Sequence, residues 1–236
     1  MSLPFFYTKD IDLNTTQVVL DEDTSKHIVQ VLRMENGEQL QLTNGKGVLL
    51  TCEIADNNRK KCTVTAIDKS EIVNRKSEIA IAVSLIKNNT RFEWFLEKAT
   101  EIGVATIIPL LCERTEKTAF KYERMKSILV SAMLQSQQAW IPELKEPVKF
   151  TTLMGHASAS QKFIAHCIDE NNKTPLSAQL LNSSTSKLIL VGPEGDFTKA
   201  EIEAALKSGF MPVSLGNTRL RTETAAVVAA TLLCIA

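Results

Sequence analysis

The stretch Leu190–Leu206, LVGPEGDFTKAEIEAAL, runs an apolar strand end into a Gly-Pro turn and then into a helix. Thr198 and Glu201 have the spacing of a capping box, so the helix starts there and the corner spans Gly192 to Phe197. Gly192 and Gly195 allow close approach of backbone or ligand, and Pro193 stiffens the turn. A bulky side chain at Gly195, such as valine, is expected to fill space that a ligand needs. The same pattern returns in VSLGNTRLRTETAAVVAATLL, residues 213–233. There a strand meets a corner at Gly216 that carries Arg219 and Arg221, and a helix follows, opened by Thr222 or Thr224. Ligands of parallel sheets sit at the carboxyl ends of strands, where both corners fall.

The acids narrow the ligand class. A phosphate at Gly192–Gly195 would face Glu194 and Asp196, and the chain has neither a P-loop lysine nor a GxGxxG. A nucleoside without phosphates fits better. Backbone groups can read an adenine edge, Glu194 can accept from ribose hydroxyls, and a carboxylate tolerates a nearby cation. S-adenosylmethionine (AdoMet), with its adenosine, sulfonium and amino acid, is such a molecule.

Outward from the corners, the chain alternates continuous apolar strands with helices. EIAIAVSLI, VATIIPLLC, KFIAHCI, KLILV and MPVSL read as strands. TRFEWFLEKATEIG reads as a helix with a Thr90–Glu93 capping box, a Phe92/Phe95/Leu96/Ala99 face and Gly103 at its end. A long helix, YERMKSILVSAMLQSQQAW, should stop before Pro142, and a short one should follow Pro175. This rhythm predicts an α/β fold with a parallel sheet covered on both faces. The first seventy residues differ. TTQVVLD, EQLQLTN, VLLTCEIAD and KCTVTAIDK are short β-branched strands, with TNGKG and ADNNRKK offering corners of positive φ. One helix, TSKHIVQVLRMENG, interrupts them, capped by Thr24 or Ser25 and ended by Gly37. Many short strands with one helix suggest a small closed barrel. The boundary should lie near residues 70–77, giving domains 1–72 and 73–236.

Composition excludes several classes. The 27 Lys/Arg balance 27 Asp/Glu, so any nucleic-acid role needs a local patch rather than a basic protein. Five cysteines without a CxxC argue for reduced thiols, and three histidines without an HExxH predict no metal. No apolar run has membrane-spanning length and the N-terminus lacks a secretion signal, so a cytoplasmic location is expected. In AHCIDE, His166, Cys167 and Asp169 could suggest a thiol hydrolase. Adjacent strand residues point to opposite faces, so His166 and Cys167 should not meet.

LVGPEGDFTKAEI and SLGNTRLRTETAAVVA closely resemble the two C-terminal signatures of the RsmE family. These are AdoMet-dependent methyltransferases that modify N3 of a uridine in small-subunit (16S) ribosomal RNA. The resemblance extends to LEKATEIGVATIIPLLCERTE and to HIVQVLRMENGEQLQLTNGKG, and so covers nearly the whole chain. It implies a SPOUT fold, a parallel sheet with a C-terminal trefoil knot, preceded by a PUA-like RNA-binding β-barrel. It also implies a homodimer with the cofactor site near the subunit interface. By matching position, Gly192, Pro193, Glu194 and Gly195, next to Val191, form one cofactor loop. Leu215, Gly216, Asn217, Leu220, Arg221, Thr222, Glu223 and Thr224 belong to the other, and Leu85 to Lys87 border the site. Arg221 and Glu223 are the catalytic candidates. RNA contacts are expected from Arg33, the Arg59-Lys60-Lys61 run, Lys87, Arg91 and Arg114. Intact GPEG and RTET motifs count against the alternative of a non-catalytic RNA-binding or assembly factor. The chain departs from the family pattern at Gln138 and Trp140, which replace arginines, and at Asp196, which replaces a common glycine. Trp140 reads either as a base-stacking platform or as a partly buried aromatic. An acid at Asp196 is expected to be accepted by the following helix N-terminus.

Overall fold

A computed structural model of the chain describes residues 3–72, 78–168, 173–179 and 186–235. The segment 73–77, where the domain boundary was expected, and Asp169 lie outside the described residues. The chain divides into two compact units. One is Met1–Arg75 together with Met133–Ile141, and the other is Lys76–Ala132 together with Pro142–Ala236.

The first unit holds β1 (Phe5–Tyr7), β2 (Gln17–Val19), α1 (Glu22–Lys26), β3 (Gln39–Thr43), β4 (Val48–Asp56) and β5 (Thr63–Glu71). Its five strands run in the order β1-β3-β4-β5-β2. The expected barrel takes the form of a curled half-barrel sheet, whose end strands are only three residues long each. Strict alternation makes it fold over one face: Val48, Leu50, Cys52 and Ile54 of β4 point inward with Leu40, Leu42, Val64 and Ile28. Register shifts in the β4–β5 ladder, at Thr51/Cys52 and Ile54/Asp56, bend the pair.

Local chemistry here departs from the sequence reading in three places. Asp21, not Thr24 or Ser25, caps α1, accepting from the Thr24 amide at 2.8 Å, so the helix begins earlier. Ser25 is buried and instead accepts from the Cys62 amide at 2.9 Å. The helix loosens into a π-turn at His27–Val31 and ends with Arg33 at φ 55, well before Gly37. The corners differ too. Gly45 and Gly47 have the positive φ expected of TNGKG, but in ADNNRKK the Asn58 side chain accepts from the Lys60 and Lys61 amides instead. Trp140 takes the packing role. A Cβ on Gly47 would come within 2.6 Å of the indole, whose Nε1 donates to the Ile72 carbonyl at 3.2 Å.

The second unit contains β6 (Ile79–Ser84), α2 (Asn89–Ile102), β7 (Thr106–Leu111), α3 (Tyr122–Gln135, whose last three residues belong to the first unit), β8 (Glu143–Leu144), β9 (Val148–Lys149) and α4 (Phe150–His156). It continues with β10 (Gln161–Ala165), β11 (Thr174–Pro175), β12 (Lys187–Val191), α5 (Lys199–Lys207), β13 (Met211–Ser214) and α6 (Thr222–Ile235). A 3-10 turn at Leu176–Gln179 is the short helix expected after Pro175. The sheet is parallel, in the order β11-β13-β10-β12-β6-β7-β8, with β9 also beside β7. All five residues of β12 are buried, as a strand covered on both faces requires. α2 buries the predicted Phe92, Phe95, Leu96 and Ala99 and ends at Gly103 with φ 98. Its cap, however, is Asn88, because Glu93 turns away to form a bidentate pair with Arg124 at 2.6 and 2.8 Å. After β13, α6 returns to the middle of the sheet and packs on α2, β6 and β12. Ala226, Ala229 and Ala230 are fully buried there, and side chains this small let the helix come close.

Candidate active site

Three neighbouring strands set up the site. β10 lies between β12 and β13, with Ala165 opposite both Val191 and Val213, so all three chains leave the sheet at one edge. The loops beyond Ala165, Val191 and Ser214 therefore converge, the geometry in which α/β proteins bind ligands.

The first corner is held at every side. The Pro193 carbonyl accepts from the Asp196 amide at 2.9 Å, closing a turn. Thr198 and Glu201 form the expected capping box, worth about 1 kcal/mol to α5. The buried Glu201 also accepts from the Glu113 amide at 2.9 Å. The Thr222 hydroxyl donates to the Gly192 carbonyl at 3.0 Å, tying the start of α6 to the corner. Glu194 accepts from the Lys87 amide at 3.0 Å, and Arg114 donates to the Gly195 carbonyl at 2.6 Å. Asp196 works differently from the expectation. It sits two residues before the cap at φ 64, and its carboxylate accepts from the Cys167 and Phe197 amides at 2.8 and 2.9 Å. A glycine would enter this left-handed conformation freely; the aspartate is held there by two charge-assisted hydrogen bonds, of which the one from Cys167 also joins the β10 and β12 loops.

Two adjoining cavities open along this edge. One of about 430 Å3 is lined by Val191 to Glu194, Asp196, Arg91 and Arg219 to Glu223. The other, about 540 Å3, is lined by Val213 to Leu220, His166 and Lys173. They share Ala165, Cys167, Arg219, Leu220 and Ala225, and each is large enough for a small ligand. The first cavity mixes three carboxylates, on Glu194, Asp196 and Glu223, with three guanidinium groups, on Arg91, Arg219 and Arg221. Such a wall suits a molecule bearing charges of both signs. The second is the more polar of the two, with His166, Lys173, Ser214, Asn217 and Thr218 on its wall beside Leu215 and Leu220. An adenosine with a zwitterionic tail matches this pairing, so the residues present fit AdoMet.

The expected site residues divide into groups. Val191, Gly192, Pro193, Glu194, Leu220, Arg221, Thr222 and Glu223 line the first cavity, and Leu215, Gly216, Asn217 and Leu220 the second. Gly195 is exposed at the edge of the corner, Thr224 is half-buried on α6, and Leu85 is buried beneath the sheet edge, none lining either cavity. Among the presumed RNA contacts, Arg91 lines the first cavity with its Nε 3.6 Å from a Glu223 carboxylate oxygen. Lys87 pairs with Glu116 at 2.9 Å, a hydrogen bond that raises its pKa. Arg33 belongs to the first unit. Ala165, His166, Cys167, Lys173 and Ala225 were missed. FIAHC reads as a strand end, but that it lies beside β12 is set by the sheet register, which the sequence does not show. His166 is buried and Cys167 exposed, in keeping with opposite faces. Near the corner, burial pushes the Cys112 thiol up to about 12, so it stays protonated and chemically quiet. Among the described residues there is no cluster of His, Cys, Asp or Glu that could hold a metal, and no helix long and apolar enough to cross a membrane.

Family models match the chain in two places: an RNA methyltransferase PUA domain over residues 20–67 and an RNA methyltransferase domain over residues 73–234. Ribosomal RNA small subunit methyltransferase E of Buchnera aphidicola subsp. Acyrthosiphon pisum is 31% identical, over 98% of this chain and 92% of the relative. A probable rRNA-methyltransferase from Porphyromonas gingivalis is 37% identical with a TM-score of 0.88, covering 97% of this chain and 95% of the other. A ribosomal RNA small subunit methyltransferase E from Neisseria gonorrhoeae, solved bound to S-adenosyl methionine, is 27% identical with a TM-score of 0.85, again covering 97% and 95%. The carboxyl-edge cleft, the mixed charges of its wall and these matches lead to one conclusion: the chain belongs to the ribosomal RNA small subunit methyltransferase E family of RNA methyltransferases.

Proposed function

We propose that this protein methylates N3 of a uridine in small-subunit (16S) ribosomal RNA, using AdoMet. The observation that carries the reading is the cleft where Arg221 and Glu223 stand beside the Gly192–Glu194 corner, in a chain of this family. AdoMet, when bound, supplies a methyl group on a sulfonium. Gly192 and the Gly216 loop offer backbone for the adenosine, and Glu194 keeps one carboxylate oxygen for ribose hydroxyls while the other holds the Lys87 amide. Uridine N3 is a poor nucleophile while protonated, so the site must take the proton and stabilise charge spreading onto the flanking carbonyls. In this reading Glu223 takes it, and Arg221, exposed on the cavity wall, stabilises the carbonyl charge.

The first unit, with Arg33 and Arg59-Lys60-Lys61, supplies further RNA contacts in this reading. So do Lys87 and Arg114 at the rim of the corner. The protein works as a cytoplasmic homodimer, and the passage of α6 back to β6 after β13 completes a trefoil knot. The return of α6 to the sheet centre and its half-buried apolar residues support both points.

Single-turnover methylation of small ribosomal subunits, alongside cofactor titration, tests the assignment. Arg221→Ala is expected to keep AdoMet affinity within about tenfold while methyl transfer falls roughly a hundred- to a thousandfold. Arg221→Lys should recover little, because an ammonium lacks the planar fork. Arg219→Ala should be far milder. Equal loss of binding and rate in Arg221→Ala would make that residue a cofactor clamp. Mass mapping of the product locates the methylated nucleotide, and co-chromatography of the released nucleoside with 3-methyluridine and 5-methyluridine standards fixes the atom.

A further inference from the structure

Arg91 stands where local electrostatics disfavour it. It is the third residue of α2, in a first turn that carries no acidic residue, and a cation there opposes the helix dipole. Its guanidinium is more exposed than its partner, 41% against 9%, and the Nε lies 3.6 Å from a carboxylate oxygen of Glu223. That distance makes an ion pair rather than a hydrogen bond. Glu223 is the second residue of α6, buried, and on the wall of the first cavity with Arg91 and Arg221. The two helices pack along each other, so the pair joins their starts across the mouth of the cavity.

We propose that Arg91 is a positioning residue, which orients the Glu223 carboxylate toward the reacting base rather than gripping RNA itself. The proposal rests on the methyltransferase reading above. In that step the Glu223 carboxylate takes the N3 proton and becomes a carboxylic acid. The N3 electron pair forms the new N–CH3 bond. The sulfonium C–S bond breaks with its pair going to sulfur, leaving S-adenosylhomocysteine and a neutral methylated base. Arg91 takes part in none of these bond changes. Its work is to hold a buried carboxylate in one orientation, since a side chain free to turn into the helix interface would spend less time facing the base.

A double-mutant cycle on the full-length protein tests this, with Arg91→Ala, Arg91→Lys, Glu223→Gln and the pair Arg91→Ala/Glu223→Gln. Steady-state methylation of small ribosomal subunits is measured with AdoMet titration and thermal melting for each variant. Glu223→Gln should lower kcat about a hundredfold, the typical contribution of a positioned base. Arg91→Ala should lower kcat about tenfold, with KM for the RNA substrate and affinity for AdoMet both within about twofold. Arg91→Lys should regain part of the loss. The double variant should be no slower than Glu223→Gln alone, because a residue acting through Glu223 has nothing left to orient. A raised KM with kcat preserved, or losses that multiply in the double variant, would overturn the inference and make Arg91 an RNA contact. So would a Glu223→Gln variant with the parent's rate. A parent protein that transfers no methyl group to small-subunit RNA would instead defeat the functional reading itself, a result distinct from any of these.

Discussion

At the scale of single residues, the two glycines of the first corner separate sharply. A Cβ on Gly192 would come within 3.0 to 3.2 Å of the Phe197 ring and amide. Phe197 is fully buried and packs on Phe150 with ring centroids 5.7 Å apart, so it has nowhere to yield. Gly192→Ala should therefore destabilise the protein by about 1–3 kcal/mol, the usual cost of overpacking, and weaken AdoMet binding with it. At Gly195 the same Cβ would meet only the flexible Arg114 side chain, at 3.4 Å. Gly195→Ala should stay within about 0.5 kcal/mol of the parent in urea unfolding. The sequence marks both glycines equally, but only Gly192 is crowded by the protein itself. The distinction comes from the Phe197 ring folding back over the turn and being held there by the distant Phe150, which spacing does not carry. Asp196 is similar. That an acid replaces a glycine is visible in the sequence, but its left-handed backbone and its grip on the Cys167 amide depend on where β10 ends.

At the scale of elements, strands and helix faces were legible because they follow from periodicity, while caps were not. The Phe92/Phe95/Leu96/Ala99 stripe and the buried run of β12 appear where the pattern sets them. The Thr90–Glu93 box fails because Arg124, far along the chain, draws Glu93 into a bidentate pair. Short strands such as β8, β9 and β11, two residues each, carry too little pattern to be read, and β1 needed its parallel partner β3 to be seen. Helix α3 shows a termination without the residue that usually signals one. Gln137 follows it at φ 55, and the Gln137 and Gln138 amides return to the Leu134 and Met133 carbonyls. Glycine takes this conformation without the steric cost of a side chain. Gln137→Gly should raise stability by about 0.5–1 kcal/mol in urea or thermal unfolding, the gain being limited by the added freedom of the unfolded chain.

At the scale of the molecule, the parallel sheet and the edge where the cleft opens were readable from strand–helix alternation, and the return of the last helix was not, since periodicity says nothing of where an element goes. Val227, Val228 and Leu232 of α6 remain half-buried, and Trp94 on the adjoining α2 is 41% exposed. Apolar groups left open along two packed helices fit an interface between copies. Light scattering should report twice the 26.1 kDa chain mass, and a folded monomer that binds AdoMet normally on dilution would contradict the dimer. The return of α6 has a further consequence in time. A ribosome makes residues 222–235 well after α2 and β6, the elements they cover. Until α6 emerges, those two elements wait with an apolar face open to water and to other nascent chains. The protein is thus exposed to aggregation during its own translation, and a chain stopped before residue 219 would lose the cover of β6 as well as one wall of the cleft.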